Sequence, residues 1–329
     1  ATATGYALVT AASPAVVQVA TGASLNLGGS IVSTQGFLKE QAGSLYLSAR
    51  QYHTGETTVA GGSLVLAAGD NTISPLSTTL SVESGATVDL NGTTQYVGRL
   101  SSLGVAPGGG GTITSSSAAT LVSNMSAGDR TFGGSITGAV TFGRIGGYTL
   151  TLESAQTYTG ATYLLGSATS LQDEATLANT SALVMTYATL NLNNNSGLQV
   201  NVGNRINDAA PVTLRGSTIT YNGRAAVYAS EKMGALTVDQ GANTISANVN
   251  NGSGNFNSAI LTFASLTRSN NATLNFTGSN LGQLSNSGGI IFTTPPATVG
   301  GGYLGPWARV GKVSALKNSM LKFARLQRA

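Results

Sequence analysis

The chain has 329 residues, no Cys, a single His (His53), 44 Gly, 9% charged and 6% aromatic residues against 41% hydrophobic ones. Without Cys there is no disulfide framework and no thiolate zinc or iron-sulfur centre, and one His allows neither a two-His metal site nor more than one candidate triad base. The apolar fraction is ample for a core, while low charge with abundant Gly points to a β-rich chain.

The formal net charge of +4 divides by region. From Gly301 onward there are six cations (Arg309, Lys312, Lys317, Lys322, Arg325 and Arg328) and no acid, whereas residues 1–300 hold 10 cations and 12 acids. The body therefore offers no basic face for a phosphate backbone, and nucleic acid is not expected as its partner. The opening Ala1-Thr-Ala-Thr-Gly5 lacks the basic start and apolar run of a secretory signal, which leaves a removed signal or a segment of something longer. No stretch approaches the roughly 18 to 20 apolar residues of a membrane helix.

In chain order, one short pattern recurs: a small residue and Ser/Thr, then apolar, polar, apolar, then Asn or Gly. It reads Gly22-Ala-Ser-Leu25-Asn-Leu27-Gly-Gly29, Gly85-Ala-Thr-Val88-Asp-Leu90-Asn-Gly92, Ala188-Thr-Leu190-Asn-Leu192-Asn193, Gly216-Ser-Thr-Ile219-Thr-Tyr221-Asn-Gly223 and Ala272-Thr-Leu274-Asn-Phe276-Thr-Gly278. Each predicts a half-buried strand closed by a residue tolerant of positive φ. Further strands are expected at Ser63–Leu66, Ser77–Val82, Tyr148–Leu152 and Ala235–Val238, with no helix before residue 312. Strands this short, in a chain this long and poor in aromatics, argue against a sandwich and an outer-membrane barrel and for a β-solenoid of about 13 rungs and about 60 Å. Its interior is expected to be narrow and filled by small and β-branched residues, with Asn, Ser, Thr and Gly stacked at the turns.

Tyr52-His-Thr-Gly55-Glu-Thr-Thr-Val-Ala-Gly-Gly62-Ser-Leu64-Val-Leu66 and Tyr158-Thr-Gly160-Ala-Thr-Tyr-Leu-Leu-Gly166 resemble the autotransporter-associated β-strand repeat of exported bacterial surface proteins. Arg205-Ile-Asn-Asp-Ala-Ala-Pro211-Val-Thr-Leu214, Glu231-Lys-Met-Gly234-Ala-Leu-Thr-Val238 and Leu261-Thr-Phe-Ala-Ser-Leu-Thr-Arg268 resemble sequence found between such repeats, and Tyr303–Val310 resembles a Gly-Gly-Trp-Ala-x-Val element with Pro306 in place of a Gly. The resemblance spans roughly residues 20–310. It implies a parallel β-helical passenger region at the cell surface, without the C-terminal membrane barrel of a complete autotransporter. The expected fold is thus all-β: a right-handed parallel β-helix or β-solenoid over residues 1–310 and a short basic amphipathic helix over 311–329.

Candidate sites are few. His53 with Glu56, and Asp173 with Glu174, are read as structural, because adjacent residues of an extended segment point to opposite sides. Twelve acids spread singly along the chain suggest no catalytic cluster, so no enzyme activity, cofactor or metal is expected. Gly108–Gly111 and Gly300–Gly302 lack the Asp of a calcium β-roll and the Lys-Ser/Thr of a phosphate loop. Tyr46, Tyr96, Tyr187 and Tyr221, with the Asn193–Asn195 and Asn248–Asn251 clusters, are candidates for contact with surface glycans, proteins or a neighbouring copy; alternatively, Tyr packs at corners and Asn in turn ladders.

In the basic segment, Val313, Leu316, Met320 and Phe323 recur at helical spacing, with Lys317 and Lys322 between them, Lys312 and Arg325 flanking them, and Leu321 and Leu326 off the stripe. It reads as an end cap, a contact for an anionic membrane or acidic partner, or an intersubunit dock. The expectation is a secreted or cell-surface structural protein or adhesin making multivalent contacts. A fibre subunit and, in a different class, a carbohydrate-active β-helix enzyme are the alternatives.

Overall fold

The computed structural model describes residues 2–3, 8–10, 12–73, 75, 78–250, 257–283, 286–299 and 304–311. The expected C-terminal helix lies outside these residues. Among the described residues the chain is all-β, with no helix and with every strand pair parallel.

Thirteen strands form one long sheet that starts at Thr2–Ala3, runs through Ser24–Leu27, Ser44–Leu47, Gly62–Leu66, Ala86–Asp89 and the long pair Thr112–Met125 and Ser135–Gly146, and ends at Leu266–Arg268. A second ladder of five strands runs from Ala15–Gln18 through Phe37–Glu40, Thr57–Val59 and Thr79–Val82 to Arg99–Ser101, and an eight-stranded ladder runs from Arg130–Phe132 and Leu150–Leu152 to Ala308–Val310. The Ser102 N–H donates to the Thr131 carbonyl at 3.3 Å, linking these two ladders end to end. Paired strands are separated by as few as 19 residues (Ser44 to Ser63) and as many as 34 (Leu274 to Ala308).

The alternation of side chains along each strand explains the core. In the long sheet Leu25, Leu45, Leu64, Val88, Ile113 and Ile136 stand in one inward column, all fully buried except Leu25. Removing each such side chain from water stabilises the fold by about 1.5–3 kcal/mol, and the column repeats that gain at every strand. The outward neighbours Ser24, Ser44, Ser63, Thr87, Thr112 and Ser135 form a matching hydroxyl column. The interior is filled by larger side chains than expected: Leu predominates, and Phe37, Phe132, Phe142 and Phe263 are fully buried within it.

All five copies of the recurring pattern are strands, but they do not share a face. The first two lie in the long sheet and the last three, Thr189–Asn193, Thr218–Gly223 and Thr273–Gly278, in the eight-stranded ladder. The two repeat-like motifs do share a local structure. His53 Nε2 lies 2.6 Å from Thr57 Oγ1, and the Tyr158 hydroxyl lies 2.6 Å from Thr162 Oγ1. Each ring also packs on a Phe one strand back, His53 on Phe37 at 5.8 Å and Tyr158 on Phe142 at 6.0 Å. The counterpart of Tyr158 is therefore His53, not Tyr52, which is exposed.

Candidate functional site

Three of the four tyrosines singled out from sequence lie on or beside the outer face of the long sheet. Tyr46 projects from Ser44–Leu47, Tyr96 from Thr94–Val97, and Tyr187 directly follows Leu183–Thr186; all three are exposed. Tyr221 is a correction: it faces inward from Thr218–Gly223 with 0% exposure, because the period-2 alternation that turns Thr220 and Asn222 outward turns Tyr221 in. Its buried hydroxyl accepts from Asn194 Nδ2 at 3.3 Å, and burial raises its pKa.

Register brings Tyr96 into a column that sequence spacing did not show. Tyr96 pairs with Val122, Val122 with Gly143, and Gly143 with Tyr163. The two rings, 46% and 42% exposed, thus stand three strand spacings apart, about 14 Å, over a flat stretch where Gly143 contributes no side chain. Two residues along the same strands, Thr94, Thr120 and Thr141 form a parallel column, and together with Thr159 they line a shallow cleft of about 320 Å³ at the irregularity between Ser115 and Ala119. Tyr46 stands in a separate column with Asn26, Val65, Asp89, Thr114 and Thr137. The tyrosines are therefore spread along the sheet and do not converge on one pocket.

No protein-family model, curated protein or solved structure matches the chain.

A larger cleft of about 750 Å³ crosses the five-stranded ladder into the first strands of the eight-stranded one. It corrects the expectation that the acids stay apart: Glu40, Glu56, Glu83 and Asp129 all line it, together with Arg130. The carboxylates are held by separate partners. Glu40 accepts from Gln18 Nε2 at 2.8 Å, Glu56 from Thr58 Oγ1 at 3.3 Å, and Glu83 from Ser81 Oγ at 2.6 Å and the Leu103 N–H at 2.8 Å. Among the described residues no group of three or more His, Asp or Glu is arranged to hold a metal ion.

His53 and Glu56 do not form a pair: His53 is fully buried, Glu56 is exposed, and burial lowers the His53 pKa to about 4. Asp173 is buried and Glu174 exposed; the two sit in a turn, with Asp173 at a φ of 46°, and do not converge. Asp173, just past Ala168–Leu171, instead meets Glu153, just past the paired strand Leu150–Leu152, in a buried polar knot. Burial and the hydrogen bond to Asp173 raise the Glu153 pKa to about 8. The fully buried Arg205 guanidinium donates to Asn194 Oδ1 at 2.8 Å and to the carbonyls of Ala175, Asp173 and Asn193. Glu231 accepts the backbone N–H groups of Arg205 and Ile206 at 2.8–3.0 Å, and burial raises its pKa to about 7. The knot ties neighbouring strands together, and none of its side chains lines either cleft described above. Asn194, a candidate surface contact in sequence, is buried within it.

Proposed function

We propose that the chain is an exported, non-enzymatic surface protein of the passenger type, a right-handed parallel β-helix whose outer faces bind extended glycans or surface polymers through many weak contacts. The observation that carries this reading is the paired columns of the long sheet, Thr94–Thr120–Thr141 beside Tyr96–Val122–Gly143–Tyr163. Tyr offers an apolar ring face to sugar C–H groups with a polar tip, and Thr hydroxyls both donate and accept. Repeated at strand spacing on a stiff scaffold, such contacts add through effective concentration, without an enclosed pocket. The resemblance of Tyr52–Leu66 and Tyr158–Gly166 to autotransporter-associated repeats supports export and surface display.

The test is retention of the full chain on polysaccharide-coated surfaces and on cells. Tyr96→Ala with Tyr163→Ala is expected to reduce retention at least tenfold while unfolding is unchanged. Retention equal to wild type would remove this face from the account.

A second reading, a fibre subunit, is favoured by the end of the long sheet. Leu266–Arg268 is the last strand of that sheet among the described residues, and a terminal parallel strand offers N–H and C=O groups for pairing with a further copy.

A further inference from the structure

We infer that the acidic cleft is the docking site for the basic segment 312–329 of a second copy of this chain, joining copies head to tail; this rests on the fibre-subunit reading. Charge is the first argument. The cleft carries Glu40, Glu56, Glu83 and Asp129 against Arg130 alone on its lining, with Arg99 close to Glu56 and Arg130. The segment carries Lys312, Lys317, Lys322, Arg325 and Arg328 and no acid.

Apolar complementarity is the second. Leu103 and Val105, from the loop that walls the cleft, are 87% and 53% exposed, an unusual cost for large apolar side chains on one loop. The segment's Val313, Leu316, Met320 and Phe323 recur at the spacing of one helical face, which would cover them.

Length is the third. The cleft crosses six successive strands, from Phe37–Glu40 to Leu150–Leu152, or five spacings and about 24 Å. On a helix, the cations from Lys312 to Arg328 would spread over about 24 Å.

Position selects a second copy over the same one. Ala308–Val310, from which the segment departs, is six strand positions beyond Leu150–Leu152, about 29 Å, so the cations and apolar stripe that begin at Lys312 start that far from the cleft of their own chain. In a copy stacked beyond the C-terminal end, the cleft begins one strand in from the edge strand Ala15–Gln18. The contact is heterologous and does not close, so it propagates.

Sedimentation velocity of the full chain across a concentration series tests this. Association is expected at 0.1 M salt and is expected to weaken at least tenfold at 1 M, where the screening length falls to about 3 Å. Glu40→Lys with Glu56→Lys, and separately Lys312→Gln, Lys317→Gln and Lys322→Gln, are each expected to leave folded monomers. Mixing the two variants restores one wild-type cleft facing one wild-type segment, and is expected to give 1:1 dimers that grow no further. Association unchanged in both variants would overturn the docking while leaving edge-paired fibres standing. A mixture that stays monomeric while the wild type assembles would also overturn it. An intact chain that is monomeric throughout would overturn both the docking and the fibre reading.

Discussion

His53 stands to Thr57 as Tyr158 stands to Thr162: a buried ring, a Gly two residues on, and a Thr hydroxyl at 2.6 Å four residues on. The position asks for a flat ring with one polar atom aimed at the Thr, and imidazole or phenol meets it. Desolvation sets the cost for imidazole, which must stay neutral.

His53→Tyr is therefore expected to change the pH dependence of stability more than its value at pH 7. With the folded pKa lowered to about 4 from 6.5, the unfolded chain takes up the proton first as pH falls. The His53 contribution is complete above 6.5 and is lost as pH falls toward about 4, by up to about 3 kcal/mol. Urea unfolding at pH 7 and pH 4.5 should show a smaller acid loss in the variant, and an equal loss in both proteins would contradict this.

Glu153 has the opposite sign. Its pKa is raised to about 8, so the folded state keeps a proton that the unfolded carboxyl sheds above about 4.5. Its contribution is complete below pH 4.5 and fades as pH rises through 8. Glu153→Gln should gain on the wild type steadily between pH 5 and pH 8; parallel stability curves would show that Glu153 titrates normally.

Glu231 satisfies two buried backbone donors beside the buried Arg205. Glu231→Ala should cost about 3 kcal/mol or more, since it leaves both donors unpaired and takes a countercharge from Arg205. Glu231→Gln keeps an acceptor oxygen and should cost less. Equal, small losses in the two variants would contradict this geometry.

Gly160, the motif glycine beside Tyr158, lies against the preceding strand. A Cβ there would fall 2.4 Å from the Val140 carbonyl oxygen, whereas one on Gly147 would meet nothing within 4 Å. Gly160→Ala should destabilise by about 2 kcal/mol or more through the forced backbone shift, and Gly147→Ala by well under 1 kcal/mol. Thermal unfolding of the two proteins side by side decides it.

The strands were legible because alternation is local: Leu45 and Leu47 turn inward and Ser44 and Tyr46 outward on neighbouring residues alone. Which ladder a strand joins was not, because the same pattern serves the long sheet at Ala86–Asp89 and the eight-stranded ladder at Thr189–Asn193. The clefts were hidden for a related reason. Glu40 and Glu83 are far apart in sequence but two strands apart in space, and the turn lengths between them vary with the irregular loops. Acids recurring at about the spacing of paired strands, as Glu153 and Asp173 do, were the available signal. Tyr221 went astray although its own motif places it with Ile219 on the inward side.

The measurement that bears most directly on multivalent contact along a stiff face is the affinity of the full chain for soluble glycans of increasing length. The account predicts weak binding of short sugars, then a steep rise once a glycan spans the roughly 14 Å between Tyr96 and Tyr163, with the rise abolished by substituting either ring. Affinity that is already maximal for a mono- or disaccharide would mean a single pocket and would contradict it.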